Sequence, residues 1–413
     1  MQTSLTADLR QTAAGREADA ILRKCVHCGF CLATCPTYGI LGDELDSPRG
    51  RIYLVKQLLE GSPVAGPTQT HLDRCLGCRA CETTCPSGVE YGRLVDIARP
   101  LIETRVPRRL FDRLRRWTLI HALTARGHFR TLVALARTFS LFLPRSLRAK
   151  IGPGSRAHAW PAAIHARRIL LVQGCVQPDL APDIDTAAAQ VLDRLGISAI
   201  RAHRRGCCGA VPHHLADEQG AARHARANID SWWPEIEAGA EAIVITASGC
   251  VPMIKDYAVL LRDDAAYRER AQRVSSLARD LSEVIGGERG PLPAAPAGPV
   301  AMRLAFQAPC SLQHGLKVRG VVERLLTESG YTLTPVQDPH LCCGSAGSYW
   351  LLQPEIADEL SRRKVAALEA GMPSAIATAN IGCLTQLRGA TALPVRHWVE
   401  FVADRIAPSS ARP

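Results

Sequence analysis

The sequence predicts an α/β protein with an all-helical N-terminal domain, and three observations carry that prediction. Cys25, Cys28, Cys31 and Cys35, then Cys75, Cys78, Cys81 and Cys85, form two copies of C-x2-C-x2-C-x3-C-P, separated by a stretch that reads as helix. Further along, short β-rich runs alternate with helices, the pattern of a small parallel α/β layer. That alternation occurs twice, with its cysteines in register: Cys175 to the pair Cys207-Cys208 and Cys310 to the pair Cys342-Cys343 both span 32 positions. From the second cysteine of each pair to Cys250 or Cys383 the intervals are 42 and 40.

The helical domain is expected over residues 1–106. Residues 1 to 24 read as one helix leading into the first cysteine run. In SPRGRIYLVKQLLEG, Ser47 is placed as N-cap, Pro48 at the first helical position and Gly61 as the stop. Ile52, Val55, Leu58 and Leu59 supply the apolar stripe.

Residues 107–168 are expected to form a pair of basic amphipathic helices and a linker. Leu110, Phe111, Leu114, Trp117, Leu132, Leu135 and Phe139 recur at three-to-four spacing among arginines. Such helices either pack on a neighbouring domain with their arginines in water or lie on a membrane surface. The stretch from 145 to 168, with Pro144, Pro153 and Pro161 around an IGPGS turn, reads as connecting chain.

The first repeat is expected over 169–285, with strands ILLVQG and AIVITASG and helices Thr186 to Leu195 and Ala216 to Asn228. The second spans 301–413, with strands LAFQAP and AIATANIG and helices Gly320 to Glu328 and Ile356 to Ala370. Residues 286–300, rich in Pro, Gly and Ala, are the linker between them. Cys175, Cys250, Cys310 and Cys383 fall at strand carboxyl ends, where binding residues collect in such sheets. Gly209 and Gly344 leave the backbone beside each cysteine pair free to approach a bulky ligand.

At 413 residues with 16 cysteines, the chain has room for two or three domains. Its N-terminus carries charges throughout and no apolar signal region, so the expected location is the reducing cytoplasm, where grouped thiols mean metal or redox chemistry. No run approaches 18 uncharged apolar residues, so no membrane-spanning helix is expected. Of the net charge of +11, Arg93 to Arg168 contributes +14 from 17 Lys/Arg against three acids, which leaves −3 elsewhere. One basic surface with a defined partner fits better than a nucleic-acid-coating protein, and the basic stretch has few aromatics to stack bases.

Three cysteines at i, i+3 and i+6 can wrap one cubane face, while a fourth, led away by a proline, is aimed at a second centre. Structural zinc wants two spaced pairs around one ion, which two evenly spaced quartets fit poorly. The expectation is two [4Fe–4S] clusters. The runs resemble those of two-cluster ferredoxins, which implies a crossed ligand set: Cys25, Cys28, Cys31 and Cys85 for cluster I, and Cys75, Cys78, Cys81 and Cys35 for cluster II. The wide gap from Cys35 to Cys75 resembles the helical, ferredoxin-like domains of succinate dehydrogenase-type iron–sulfur subunits.

GCCGA and HLCCGSAG, each with an upstream Cys and a downstream SGC or IGC, resemble the CCG domains of heterodisulfide reductase-type proteins. In that family the last element is C-x-x-C and five cysteines serve a non-cubane cluster. Here the fifth position holds Met253 or Gln386. Four thiols still suffice for a further iron–sulfur centre, on Cys175, Cys207, Cys208 and Cys250 or on Cys310, Cys342, Cys343 and Cys383. The alternatives are ordinary buried cysteines or a transient thiol–disulfide role.

Read together, CVHCGFC, GDELDSPRGRIYL, HLDRCLGCRACETTCPSG, NIDSWWPEIEAGAEAI, TASGC, HLCCGSAG, TANIGC and VRHWVE resemble the iron–sulfur subunits of bacterial glycolate oxidase (glycolate dehydrogenase) over nearly the full length. The resemblance implies a subunit that is not catalytic alone. FAD-binding partner subunits would oxidise glycolate to glyoxylate, and this subunit would pass electrons toward a membrane acceptor such as quinone while attached peripherally to the inner membrane. Iron–sulfur subunits of lactate-utilisation, anaerobic glycerol-3-phosphate dehydrogenase and heterodisulfide reductase systems share the architecture and stand as alternatives. The chain itself shows no G-x-G-x-x-G after a strand, no Ser/His/Asp set and no paired carboxylates, so no catalytic residues are assigned. His213, His214, His314, His340 and His397 are expected to be structural, as are Trp232, Trp233 and Trp398.

Overall fold

The computed structural model describes residues 1–125, 127–152, 159–288 and 301–406. Its C-terminal part is built on two four-stranded, wholly parallel sheets of identical topology. The first contains β1 (Arg167–Val172), β2 (Ile197–Arg201), β3 (Ile243–Ile245) and β4 (Ala278–Asp280), in the order β2-β1-β3-β4. The second contains β5 (Arg303–Gln307), β6 (Thr332–Leu333), β7 (Ala375–Thr378) and β8 (Val395–His397), in the order β6-β5-β7-β8. Central strands read as continuous apolar runs because helices cover both faces: Ile169 to Val172, Ile243 to Ile245 and Ala375 to Ala377 are all buried.

Each sheet therefore has two more strands than the sequence reading assigns. β4 and β8 are three residues long and β6 two, too short to show a period, while β2 is only partly buried along most of its length. The helices fall where expected, with different ends: Asp183–Arg194, Glu218–Glu237, Val321–Glu328 and Pro354–Glu369.

One apolar core runs through both repeats. The two are clasped reciprocally. The helix after β8, Trp398–Ile406, packs on Asp183–Arg194 of the first repeat, and the helix after β4, Leu281–Gly287, packs on Val321–Glu328 of the second. Trp398 and Trp232 are fully enclosed in this core, as expected of anchors. Of the linker expected at 286–300, residues 289–300 lie outside the described residues.

The N-terminal domain is all helix. The single helix expected over the first 24 residues is two, Ala7–Gln11 and Ala13–Lys24, divided at Thr12, whose hydroxyl accepts from Gly15 N at 2.9 Å. Pro48–Leu59 begins as expected, with Gly50 N donating to Ser47 Oγ at 2.9 Å. Its buried face meets Leu22, Leu72, Leu94 and Ile102 to form a second core.

The basic stretch forms helices Leu110–Thr124 and His128–Thr138. The reading that leaves the arginines in water holds only in part: Arg109, Arg113 and Arg130 are exposed, but others are not. Arg108 and Arg116 turn inward to Asp73, at 2.7 and 2.9 Å, and Arg137 donates to Asp179 O at 2.9 Å. Leu110, Phe111, Leu114, Trp117, Leu132, Leu135 and Phe139 are exposed. The stretch read as connecting chain contains a further helix, Arg145–Ile151, which packs beside Ile381–Arg388; residues 153–158 lie outside the described residues.

Candidate iron–sulfur centres

The two N-terminal cysteine runs share a backbone design. Two and four residues after Cys25 stand His27 and Gly29, with φ of 57° and 85°; two and four after Cys75 stand Gly77 and Arg79, with φ of 66° and 61°. These left-handed positions coil each loop inward, and Gly77 N points at Cys75 Sγ from 3.4 Å. Cys35 and Cys85 close the turns that lead to Pro36 and Pro86.

The fourth cysteine of each run lies with the other run's first three. The Cys31 thiol is pushed up to about 11 by burial and then by its neighbours Cys25, Cys85 and Cys28. A cavity lined by Cys25, Cys28, Cys31, Cys81 and Cys85 lies between them. Cys78 and Cys81 are likewise raised, burial first, with Cys75 and Cys35 among their neighbours. Ionising thiols this close together is resisted by burial and mutual repulsion, and such a set fits a metal centre that neutralises the thiolates it binds.

Beside the second set sits a residue that sequence reading missed as part of the site. Arg51 is buried, and its guanidinium donates to His71 O at 2.7 Å, Thr37 Oγ1 at 3.0 Å and Asp46 Oδ1 at 3.1 Å. Thr37 Oγ1 is 3.3 Å from Cys35 Sγ, and Tyr91 OH donates toward Cys75 Sγ at 3.6 Å. The signal was in SPRGR: an arginine on the apolar stripe of a helix is out of pattern unless it serves a buried anion.

In the repeats, Cys175 and Cys250 follow the adjacent central strands β1 and β3, and Cys310 and Cys383 follow β5 and β7. Strand order reverses between those pairs, so all four stand at the switch points where open α/β sheets bind ligands. The Cys-Cys pairs reach them from the loops after β2 and β6. Gly209 and Gly344 take φ of 91° and 83°. A Cβ on Gly209 would fall 3.2 Å from Ala221 O, and one on Gly344 would collide with Ala357 O.

The four thiols of each repeat form a row in hydrogen-bonding reach. In the first, Cys207 lies between Cys175 and Cys208; Cys208 is held low by hydrogen bonds from Cys207 and Cys250, and Cys207 and Cys250 are driven up. In the second, Cys343 Sγ is 3.0 Å from Cys383 Sγ, while Cys310 and Cys342 pair with each other. At the places of the missing fifth cysteines, Met253 and Gln386 are both buried.

These sites are neighbours. Ser248 N donates to Ala379 O at 3.2 Å, and Gly249 N to Asn380 Oδ1 at 3.2 Å, joining the loops that carry Cys250 and Cys383. Tyr349 OH, close after the Cys342-Cys343 pair, donates to Arg74 O at 2.9 Å beside Cys75. Of the thiols that raise Cys78, Cys310 of the second repeat acts most strongly, after burial. Of the histidines, His397 is structural, with Nε2 3.0 Å from Thr246 O, and His213 Nε2 sits 3.5 Å from Asp96 across the join to the first repeat.

Fold and cysteine geometry together define an iron–sulfur protein of the electron-transfer class: a helical cysteine-quartet domain seated on a duplicated α/β unit. Comparison with known proteins agrees. Residues 21–89 match a 4Fe-4S dicluster domain, and residues 169–255 and 304–388 each match the cysteine-rich domain. The glycolate oxidase iron-sulfur subunit of Escherichia coli (strain K12) is 53% identical over 412 residues, 98% of this chain and 99% of that protein. The probable glycolate oxidase iron-sulfur subunit of Bacillus subtilis (strain 168) is 29% identical over 401 residues, 89% of this chain and 88% of its own. A lactate utilization protein A from an Exiguobacterium species is 23% identical over 222 residues, 54% of this chain and 89% of its own. This chain belongs to the family of glycolate oxidase iron–sulfur subunits.

Proposed function

We propose that this chain is the electron-transfer subunit of a glycolate-oxidising complex, with two [4Fe–4S] clusters on the crossed sets Cys25, Cys28, Cys31, Cys85 and Cys75, Cys78, Cys81, Cys35. The observation that supports it best is the exchange of the fourth cysteine between the two runs. Bound clusters supply one-electron transfer, and the chain's own part is to hold, bury and tune them. Arg51, Tyr91 and the backbone N–H of Gly77 place donors and positive charge beside the second set's sulfurs. At least one repeat holds a further iron–sulfur centre on its four cysteines, with a thiol–disulfide role as the fallback.

FAD resides on partner subunits, which oxidise glycolate to glyoxylate, and the electrons pass on to a membrane acceptor such as quinone. The complex sits peripherally at the cytoplasmic face of the inner membrane; no helix among the described residues is long and apolar enough to cross one. Anaerobic purification of the untagged complex, followed by iron, sulfide and flavin analysis and a glycolate and lactate screen, tests this reading. The expected result is at least about eight iron atoms on this chain, flavin only on partners, and glycolate as substrate. Glycolate turnover by the pure, flavin-free chain would refute it, and preference for lactate would favour the lactate-utilisation alternative.

A further inference from the structure

The two cysteine-rich repeats match in strand order, thiol row and glycine conformation, yet they differ in charge at a buried position behind the Cys-Cys-Gly turn. In the second repeat it is Lys364, with no measurable exposure, on the buried stripe of Pro354–Glu369. In the first it is Asn228 on Glu218–Glu237. Both lie seven residues after the alanine, Ala357 or Ala221, whose carbonyl meets the glycine of the Cys-Cys-Gly turn. Asn228 spends its amide on Cys207 O and Tyr257 OH, both at 2.8 Å, and lines the cavity beside Cys208 and Cys250.

Lys364 has one hydrogen bond, Nζ to Pro339 O at 3.1 Å, and no carboxylate within ion-pair reach among the described residues. A buried ammonium with no counter-charge is costly enough to be rare. Its Nζ is anchored at Pro339, three residues before Cys342, and although burial disfavours its charge, the groups that favour it are the thiols of Cys310, Cys343, Cys342 and Cys383 once these carry negative charge.

We propose that Lys364 is the built-in counter-charge of the second repeat, making Cys310, Cys342, Cys343 and Cys383 an anionic centre of higher reduction potential than its twin in the first repeat. A fixed positive charge in a low-dielectric site favours the more negative redox state, and a neutral amide at the same place does not. This rests on the reading that the repeats hold iron–sulfur centres, but its thiol chemistry can be tested without iron as well.

The experiment uses the full-length chain, purified anaerobically, as wild type, Lys364→Met, Lys364→Arg and Asn228→Lys. Iron content, EPR-monitored redox titration and per-cysteine alkylation by iodoacetamide are measured on each. If the second repeat is loaded, Lys364→Met lowers one midpoint by about 59 mV, a tenfold change for one electron, and Lys364→Arg restores it. If its cysteines bind no iron, the cluster reading fails there; Lys364 is then read from the thiols, which alkylate about tenfold more slowly at pH 7 in Lys364→Met and recover in Lys364→Arg. A Lys364→Met chain with native circular dichroism and unchanged midpoints and alkylation overturns the proposal. Should Lys364→Met not fold, Asn228→Lys decides: a raised midpoint or faster alkylation confined to Cys175, Cys207, Cys208 and Cys250 supports the proposal, and no change there refutes it.

Discussion

Thr83 Oγ1 and His314 Nδ1 stand 2.8 Å apart although 231 residues separate them in sequence. The contact ties the short helix carrying Cys81 to the turn that follows Cys310, so the quartet domain and the second repeat meet at their cysteines. His314 is buried, and burial pulls its pKa down to about 4, which leaves a neutral ring at pH 7. Thr83→Val is expected to cost about 1 kcal/mol in denaturant unfolding and to increase proteolytic nicking between the two parts. Unchanged stability and nicking would make the contact incidental.

His397 gives a pH dependence whose sign follows from its burial. Enclosed and bonded to Thr246 O, it is also pulled down to about 4. The unfolded chain takes up this proton near pH 6.5 and the folded chain does not, so the stabilising difference is complete above about pH 6.5 and is lost as pH falls toward 4. One histidine so shifted is worth about 3 kcal/mol across that window. His397→Gln is expected to flatten the rise in urea midpoint between pH 5 and 7; a slope equal to wild type would assign the dependence to other groups.

Arg51 and Asp46 form a pair with almost no solvent contact. Removing Arg51 strips His71 O, Thr37 and Asp46 of a buried donor, although Arg74 still holds Asp46 at 2.8 Å, so the cost falls toward the lower end of the about 3–5 kcal/mol of a broken buried pair. Arg51→Met should therefore lower the melting temperature sharply. Arg51→Lys should rescue only in part, because an ammonium cannot reach His71 O, Thr37 and Asp46 in three directions at once. Iron loss is expected first from the centre near Cys35 and Cys75, and loss confined to the other set would contradict the placement of Arg51.

The crossed cysteine sets make a specific prediction for single substitutions. Cys85→Ser should drop iron below about eight atoms per chain and alter the EPR signal that Cys28→Ser also alters, although Cys85 belongs by sequence to the second run. Identical signatures for Cys85→Ser and Cys78→Ser, distinct from that of Cys28→Ser, would mean that each run keeps its own four.

Much of this was legible in the chain because cysteine spacing is a local signal. The quartets, the duplicated intervals, the Ser47 cap and the central strands could all be read directly. What escaped was set by tertiary context. β4, β6 and β8 exist because neighbouring strands offer ladder partners, at lengths where pattern carries no information. Arg51 and Lys364 look like surface charges until the fold closes over them. The most instructive difference concerns the basic helices, whose alternation was visible but whose inward face was not: Asp73, 35 residues before Arg108, decides it.

The outward face of these helices changes the expected mode of membrane attachment. Burial pushes the Asp73 carboxyl up, but Arg108 and Arg116 pull it below the usual range, and with Glu103 also on Arg108 these two cations are neutralised inside the fold. Outward stand Leu110 at 80% exposure, Leu141 at 84% and Phe142 at 85%, flanked by exposed Arg109, Arg113, Arg130, Arg145 and Arg148. An apolar ridge rimmed by arginines suits an anionic bilayer surface, each arginine contributing about 1 kcal/mol and each inserted large side chain about 1.5–3 kcal/mol. Binding to vesicles containing phosphatidylglycerol should then survive moderate salt, which screens only the rim. Leu141→Ser with Phe142→Ser should reduce vesicle partitioning at least tenfold, more than Arg109→Gln with Arg113→Gln, and Trp117 emission should shift to the blue on binding. Partitioning abolished by salt and indifferent to Leu141 and Phe142 would return the attachment to the arginines alone. No partitioning by the isolated chain, with recovery in the assembled complex, would assign the ridge to a partner subunit.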